Sequence, residues 1–90
     1  RPKLVVGFSA ETENVNKNSI TKMKKKNCDL IIANNVSKKG IGFNSDYNEV
    51  SIIDNNGNIK IIKKNKKSYI ASKIAEVILD KLLIDDRNFN

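Results

Sequence analysis

Two short apolar runs bracket a polar segment near the start of this chain, and their spacing limits the folds open to it. The first is Leu4-Val5-Val6-Gly7-Phe8 and the second is Leu30-Ile31-Ile32-Ala33. Neither alternates with polar residues, the habit of strands buried on both faces in a parallel sheet. Parallel neighbours need a crossover, and a helix is its usual form. The intervening segment supplies one: Thr12 or Asn14 can cap a helix that runs to about Asn27. The expected unit is therefore a strand over 3–8, a helix, and a strand over 29–33. At about 100° per residue, Val15, Ser19, Ile20 and Met23 share the arc that faces the sheet. Lys22 and Lys26 fall at its edge, while Lys17, Thr21 and Lys24 lie on the wet side.

Beyond the second strand, Asn34 to Asn48 reads as a long polar loop holding Gly40, Gly42-Phe43 and Asp46. A loop of that length in a compact domain is often a binding flap. Glu49–Asp54 and Asn58–Ile62 flank Asn55-Asn56-Gly57, and Asn-Gly between two β-rich runs predicts a hairpin. Lys63 to Lys67 reads as a basic linker. Ser68 then opens an amphipathic helix with Ile70, Ile74, Val77, Ile78, Lys81 and Leu82 at helical spacing, and Asp85 onwards reads as a frayed polar tail. The pattern as a whole is α/β.

Several chemistries are excluded by residue type. Histidine is absent, so there is neither a His-based triad nor a His metal ligand. The lone Cys28 rules out an internal disulfide and a Cys₄ zinc site, and it fits a reducing cytoplasm. No glycine-rich phosphate loop of either common type is present. No apolar run approaches the ~20 residues of a membrane span. The chain opens at Arg1-Pro2-Lys3, directly before a strand and without an initiator methionine, so residues 1–90 read as the carboxyl-terminal portion of a longer domain.

The net charge of +7, from 17 basic and 10 acidic residues, suits an anionic partner. The loop after the first strand lies at that strand's carboxyl end, where open α/β sheets bind ligands. Lys22 and Lys26, four apart, share one helix face and could carry an anion site, a nucleotide's above all. The alternative is that lysines in a last helical turn simply oppose the negative end of the helix dipole. Phe8 is either a core or lid aromatic or a base contact. Glu11 is a favourable charge at a helix start, a general base or a Mg²⁺ ligand.

Taken in order, Gly7-Phe8-Ser9-Ala10-Glu11-Thr12, Lys22 and Lys26, Asp29-Leu30-Ile31-Ile32-Ala33-Asn34-Asn35-Val36-Ser37, Gly42-Phe43 and Asn48-Glu49-Val50 carry a family likeness. They resemble phosphopantothenoylcysteine synthetase, the carboxyl-terminal half of the bacterial bifunctional coenzyme A biosynthesis flavoprotein. The likeness covers about residues 3 to 84. It implies a Rossmann-like fragment: a strand–helix–strand unit, a long flap loop, a β-hairpin and a C-terminal helix. It implies a CTP-dependent ligase that joins 4′-phosphopantothenate to cysteine through an acyl-cytidylate, with Mg²⁺ shielding the phosphates, and a homo-oligomer. The family's CTP contacts carry over to Phe8, Lys22 and Lys26. FMN belongs to the decarboxylase half, which these residues do not include. The family's AND becomes Ala33-Asn34-Asn35 here, so a carboxylate role at position 35 is lost. The family's alanine-rich nucleotide segment, its KxKK run and its phosphopantothenate region would lie upstream, so this chain alone is expected not to catalyse ligation.

Two other classes compete. Lys22–Lys26 and Lys60–Lys67 could bind nucleic acid through phosphates, with strong salt dependence. Arginine is confined to Arg1 and Arg87, however, and the aromatics are scattered, so base readout lacks tools. A structural role, completing a sheet and dimerising through the hairpin and flap, is the third.

Overall fold

The second apolar run is the centre of the structure: Leu30, Ile31, Ile32 and Ala33 are all buried, on both faces of one strand. The computed structural model describes residues 4–36 and 45–89, with side chains described through residue 84. In chain order the elements are β1 (Val6–Glu11), α1 (Val15–Lys26), β2 (Leu30–Asn35), β3 (Tyr47–Asp54), β4 (Ile59–Lys66) and α2 (Lys67–Phe89). The strands form one mixed sheet in the order β1-β2-β3-β4. β1 and β2 are parallel, from Val6 opposite Leu30 to Glu11 opposite Asn35, and the other two pairings are antiparallel. The α/β class, the strand–helix–strand unit, the hairpin and the C-terminal helix all stand as expected. Gly40, Gly42 and Phe43 of the expected flap lie outside the described residues.

Strand alternation sorts the core into two layers. On one face Met23 of α1 packs with Cys28, Ile31 and Ile53, with Val5 and Ile20 at the margin. Gly7 belongs to that face, where a Cβ would sit 2.9 Å from the Cys28 sulfur, so glycine permits the close approach. On the other face Ile70 of α2 packs on Leu30, Ile32, Val50, Ile52 and Ile62, joined by Val6, Ile74, Val77 and Ile78. Burying side chains of this size contributes about 1.5–3 kcal/mol each.

Several boundaries differ from expectation. β2 runs on to Asn35 and β3 starts at Tyr47, so Asn34, Asn35, Tyr47 and Asn48 of the expected loop are strand residues paired in the ladder. β1 runs on to Glu11 because its polar residues find partners under α1. β4 continues through Lys63–Lys66, which therefore are strand and not linker. It is an edge strand, where outward lysines are compatible with the ladder and discourage edge-to-edge association. α2 starts at Lys67 and remains helical to Phe89, so the residues after Asp85 are not a frayed tail. Asn14 does occupy the N-cap of α1, but in the left-handed conformation (φ 47°) and without a side-chain capping bond. Asn18 instead donates from its side chain to the Glu13 carbonyl at 2.9 Å.

The hairpin turn is organised by Asp54. Its carboxylate accepts from the backbone N–H of Asn56 and Asn58 and from the Asn58 side chain, each at 2.9 Å, while Gly57 takes the positive φ of 86°. Burial acts to raise the Asp54 pKa, but these hydrogen bonds and the charge of Lys81 outweigh it and hold the carboxyl below its ordinary value. A depressed folded-state pKa gives stability above the unfolded value that is lost as pH falls through the folded one. Wild type is thus expected to exceed Asp54→Asn in urea midpoint above about pH 4, and the gap is expected to close on further acidification. A gap that stays constant with pH would show that the charge contributes nothing.

Candidate functional site

The carboxyl end of β1 is built by the face that turns toward α1. Gly7, Ser9 and Glu11 alternate onto it, and both side chains are buried there despite their polarity. Ser9 and Ser19 meet hydroxyl to hydroxyl at 2.9 Å, in a buried contact. One step further along, the Glu11 carboxylate accepts from the Lys22 ammonium at 2.5 Å. Helical side chains lean toward the helix N-terminus, and this lets Lys22, midway along α1, reach the end of a strand that runs antiparallel to it. The Glu11 side chain is 8% exposed and that of Lys22 46%, so the pair is anchored on the carboxylate side and open to solvent on the ammonium side. Glu11 is accordingly an ion-pair partner that fixes Lys22, whereas the sequence favoured a charge placed for the helix dipole.

Phe8 lies on the opposite face of the same strand, in register with Ile32, and is 68% exposed. The described residues thus bring Lys22 to the carboxyl end of β1 and leave the Phe8 ring across the strand from it. Lys26, one turn further along α1, is exposed in the basic last turn with Lys24 and Lys25. Beside Ala10, the Asn34 side-chain oxygen of β2 is buried with no hydrogen-bond partner among the described residues.

Two features escaped the sequence reading. The Ser9–Ser19 and Glu11–Lys22 contacts were encoded in the alternation Gly7, Ser9, Glu11, which becomes visible once β1 is extended to Glu11. The other is a bulge on the hairpin. Asn48 pairs with Asn65 and Val50 with Ile62, so Lys63 and Lys64 together oppose Glu49. No local signal marks it, because a bulge is a property of register.

Among the described residues no helix is long and apolar enough to cross a membrane. Comparison with known proteins gives a consistent picture. A protein named as a cysteine/cysteine sulfinic acid decarboxylase, from an unknown prokaryotic organism, is 36% identical over 86% of this chain and 21% of its own length. The coenzyme A biosynthesis bifunctional protein CoaBC of Haemophilus influenzae is 41% identical over 81% of this chain and 18% of its own length. That of Escherichia coli K12 is 37% identical over 93% of this chain and 20% of its own length. The chain therefore spans about a fifth of these relatives. The crystal structure of the C-terminal domain of CoaBC superposes with a TM-score of 0.68 and 26% identity, over 92% of this chain and 36% of that one. A pantothenate metabolism flavoprotein from Streptococcus pneumoniae shares the fold, with a TM-score of 0.62 at 20% identity. The family described as DNA/pantothenate metabolism flavoprotein C-terminal domain matches residues 1–82, and the chain belongs to it.

Proposed function

We propose that this chain supplies part of the CTP site of a ligase that joins 4′-phosphopantothenate to cysteine through an acyl-cytidylate. The observation that carries the reading is the Lys22 ammonium held by Glu11 at the carboxyl end of β1, in a chain of this family. An ammonium has three donors. Glu11 takes one and fixes the group in place, which leaves two for phosphate oxygens. Lys26 adds a second positive charge one turn away on the same helix face. Phe8, exposed across the strand, suits the face of a base. A nucleotide contacting all three residues would pass over the carboxyl end of β1, with its base on the α2 side and its phosphates on the α1 side.

Among the described residues no group of three or more His, Cys, Asp or Glu gathers to hold a metal. When bound, Mg²⁺ would be held by the nucleotide's own phosphates and would shield their charge. The remaining catalytic machinery, the cysteine and phosphopantothenate contacts, homo-oligomer formation and a cytoplasmic setting belong to this same reading. We assign this chain no ligation by itself.

The test is kinetic, in the complete ligase. Lys22→Ala and Lys26→Ala are each expected to raise the KM for CTP about tenfold. Charge-assisted contacts are worth ~1.5–3 kcal/mol, and the exposure of both lysines places them at the lower end. An unchanged KM for both variants would leave the chain a structural role only.

A further inference from the structure

The groove on the other flank of α1 carries a second inference. We propose that it binds a small phosphorylated molecule bearing hydroxyl groups, at a site separate from Lys22 and Lys26. The cavity holds about 870 Å³, within the range of small-molecule pockets. It lies between the first turn of α1, the end of β2 and the face of the β3–β4 hairpin that the described residues leave open.

Three lysines converge on it: Lys17 from α1, and Lys63 and Lys64 from β4. Strict alternation would send adjacent strand residues to opposite faces. The bulge opposite Glu49 relaxes that alternation, and Lys63 and Lys64 both line the groove. The ring of Tyr47 confirms the direction. Tyr47 lies two residues before Glu49 and so alternates onto the same face, and the Lys64 ammonium stands 5.3 Å from its ring centroid. Lys17 is about 140° around the helix from Lys22, so one ligand group cannot be shared between them.

The rest of the lining defines the ligand class. Asn35 and Ser51 line it with neutral polar groups, Glu49 with a carboxylate, and Ile61, 58% exposed, with an apolar wall. Lysines suit phosphate oxygens, and a carboxylate suits ligand hydroxyls. The same carboxylate, set among the lysines, interrupts the continuous positive track that a nucleic-acid backbone requires. A compact phosphate ester fits this lining better than a strand of nucleotides.

The experiment is an NMR titration of ¹⁵N-labelled chain with inorganic pyrophosphate as the probe. Saturable shifts are expected at the amides of Lys17, Ser51, Lys63 and Lys64. A Lys63→Gln/Lys64→Gln double variant is expected to weaken binding about tenfold or more, with the rest of its spectrum unchanged. Lys17→Gln, on a different element, is expected to weaken it as well, whereas Lys22→Gln leaves it within about twofold. Loss of the proposed CTP effect at Lys22 would not touch this result, so the two readings fail separately. Shifts confined to Lys22 and Lys26, retention of affinity in both groove variants, or no saturation would overturn the proposal. Binding of a thymidine oligonucleotide without binding of pyrophosphate would overturn it in favour of a nucleic-acid surface.

Discussion

Ile53→Ala is expected to lower the unfolding free energy of this chain by about 2–5 kcal/mol. Ile53 has no exposed surface. It sits in β3 between Ile31 of β2 and Ile59 of β4, and packs under α1 with Met23 and Cys28. Truncation removes the transfer free energy of the lost methyl groups and leaves a cavity between a hydrogen-bonded sheet and a helix. Neither wall collapses readily: β2 and β4 hold β3 on either side, and the Ser9–Ser19 contact ties α1 to β1. Total stability scales as roughly 0.05–0.15 kcal/mol per residue, so this one change removes a large share of it. Ile61→Ala is the matched control, on the same face of the neighbouring strand but 58% exposed. Its expected effect is within about 0.5 kcal/mol. Urea midpoints at equal m-value decide the matter. Equal losses for the two variants would mean that the hairpin's α1 side is covered in solution, and the groove beside Lys63 and Lys64 would have no room for a ligand.

The strand–helix–strand unit was legible because Leu30–Ala33 is apolar without interruption, and only a strand buried on both faces tolerates that. The Asn55-Asn56-Gly57 turn was legible from its chemistry, and α2 from its period. What stayed hidden depends on neighbours distant in sequence. Ser9 and Glu11 look like the end of a strand until Ser19 and Lys22 arrive from α1 to satisfy them. Lys63–Lys66 look like a linker because charge is read as disorder, whereas an edge strand accepts charge on its open side. In the candidate site, the sequence offered Phe8, Lys22 and Lys26 as expectations, and how the fold arranges them could not be read from it. Phe8 and Lys22 occupy opposite faces of β1, a consequence of parity that follows only once the strand is known to reach Glu11.

The buried hydroxyl pair gives the second large effect, and its sign depends on how many hydroxyls are removed. Ser19 is completely buried and Ser9 nearly so, and each is the other's hydrogen-bond partner. Ser9→Ala leaves the Ser19 oxygen without that partner in a dry contact, and the expected loss is about 1–3 kcal/mol, the penalty for an unmet polar group. Ser19→Ala is expected to behave alike. The double variant strands neither oxygen and replaces two hydroxyls by hydrogens at a helix–strand contact, so its stability is expected to return close to wild type. The coupling term of this double-mutant cycle should therefore be large and favourable. Additive losses would instead mean that each hydroxyl is satisfied independently, by water. The cycle also bears on the proposed nucleotide site. Ser19 lies one turn before Lys22 on α1, so a helix that loosens in the single variants carries the ammonium away from Glu11. The KM for CTP in the complete ligase is then expected to rise in Ser9→Ala and recover in the double variant, whereas a purely structural chain would show the stability pattern without the kinetic one.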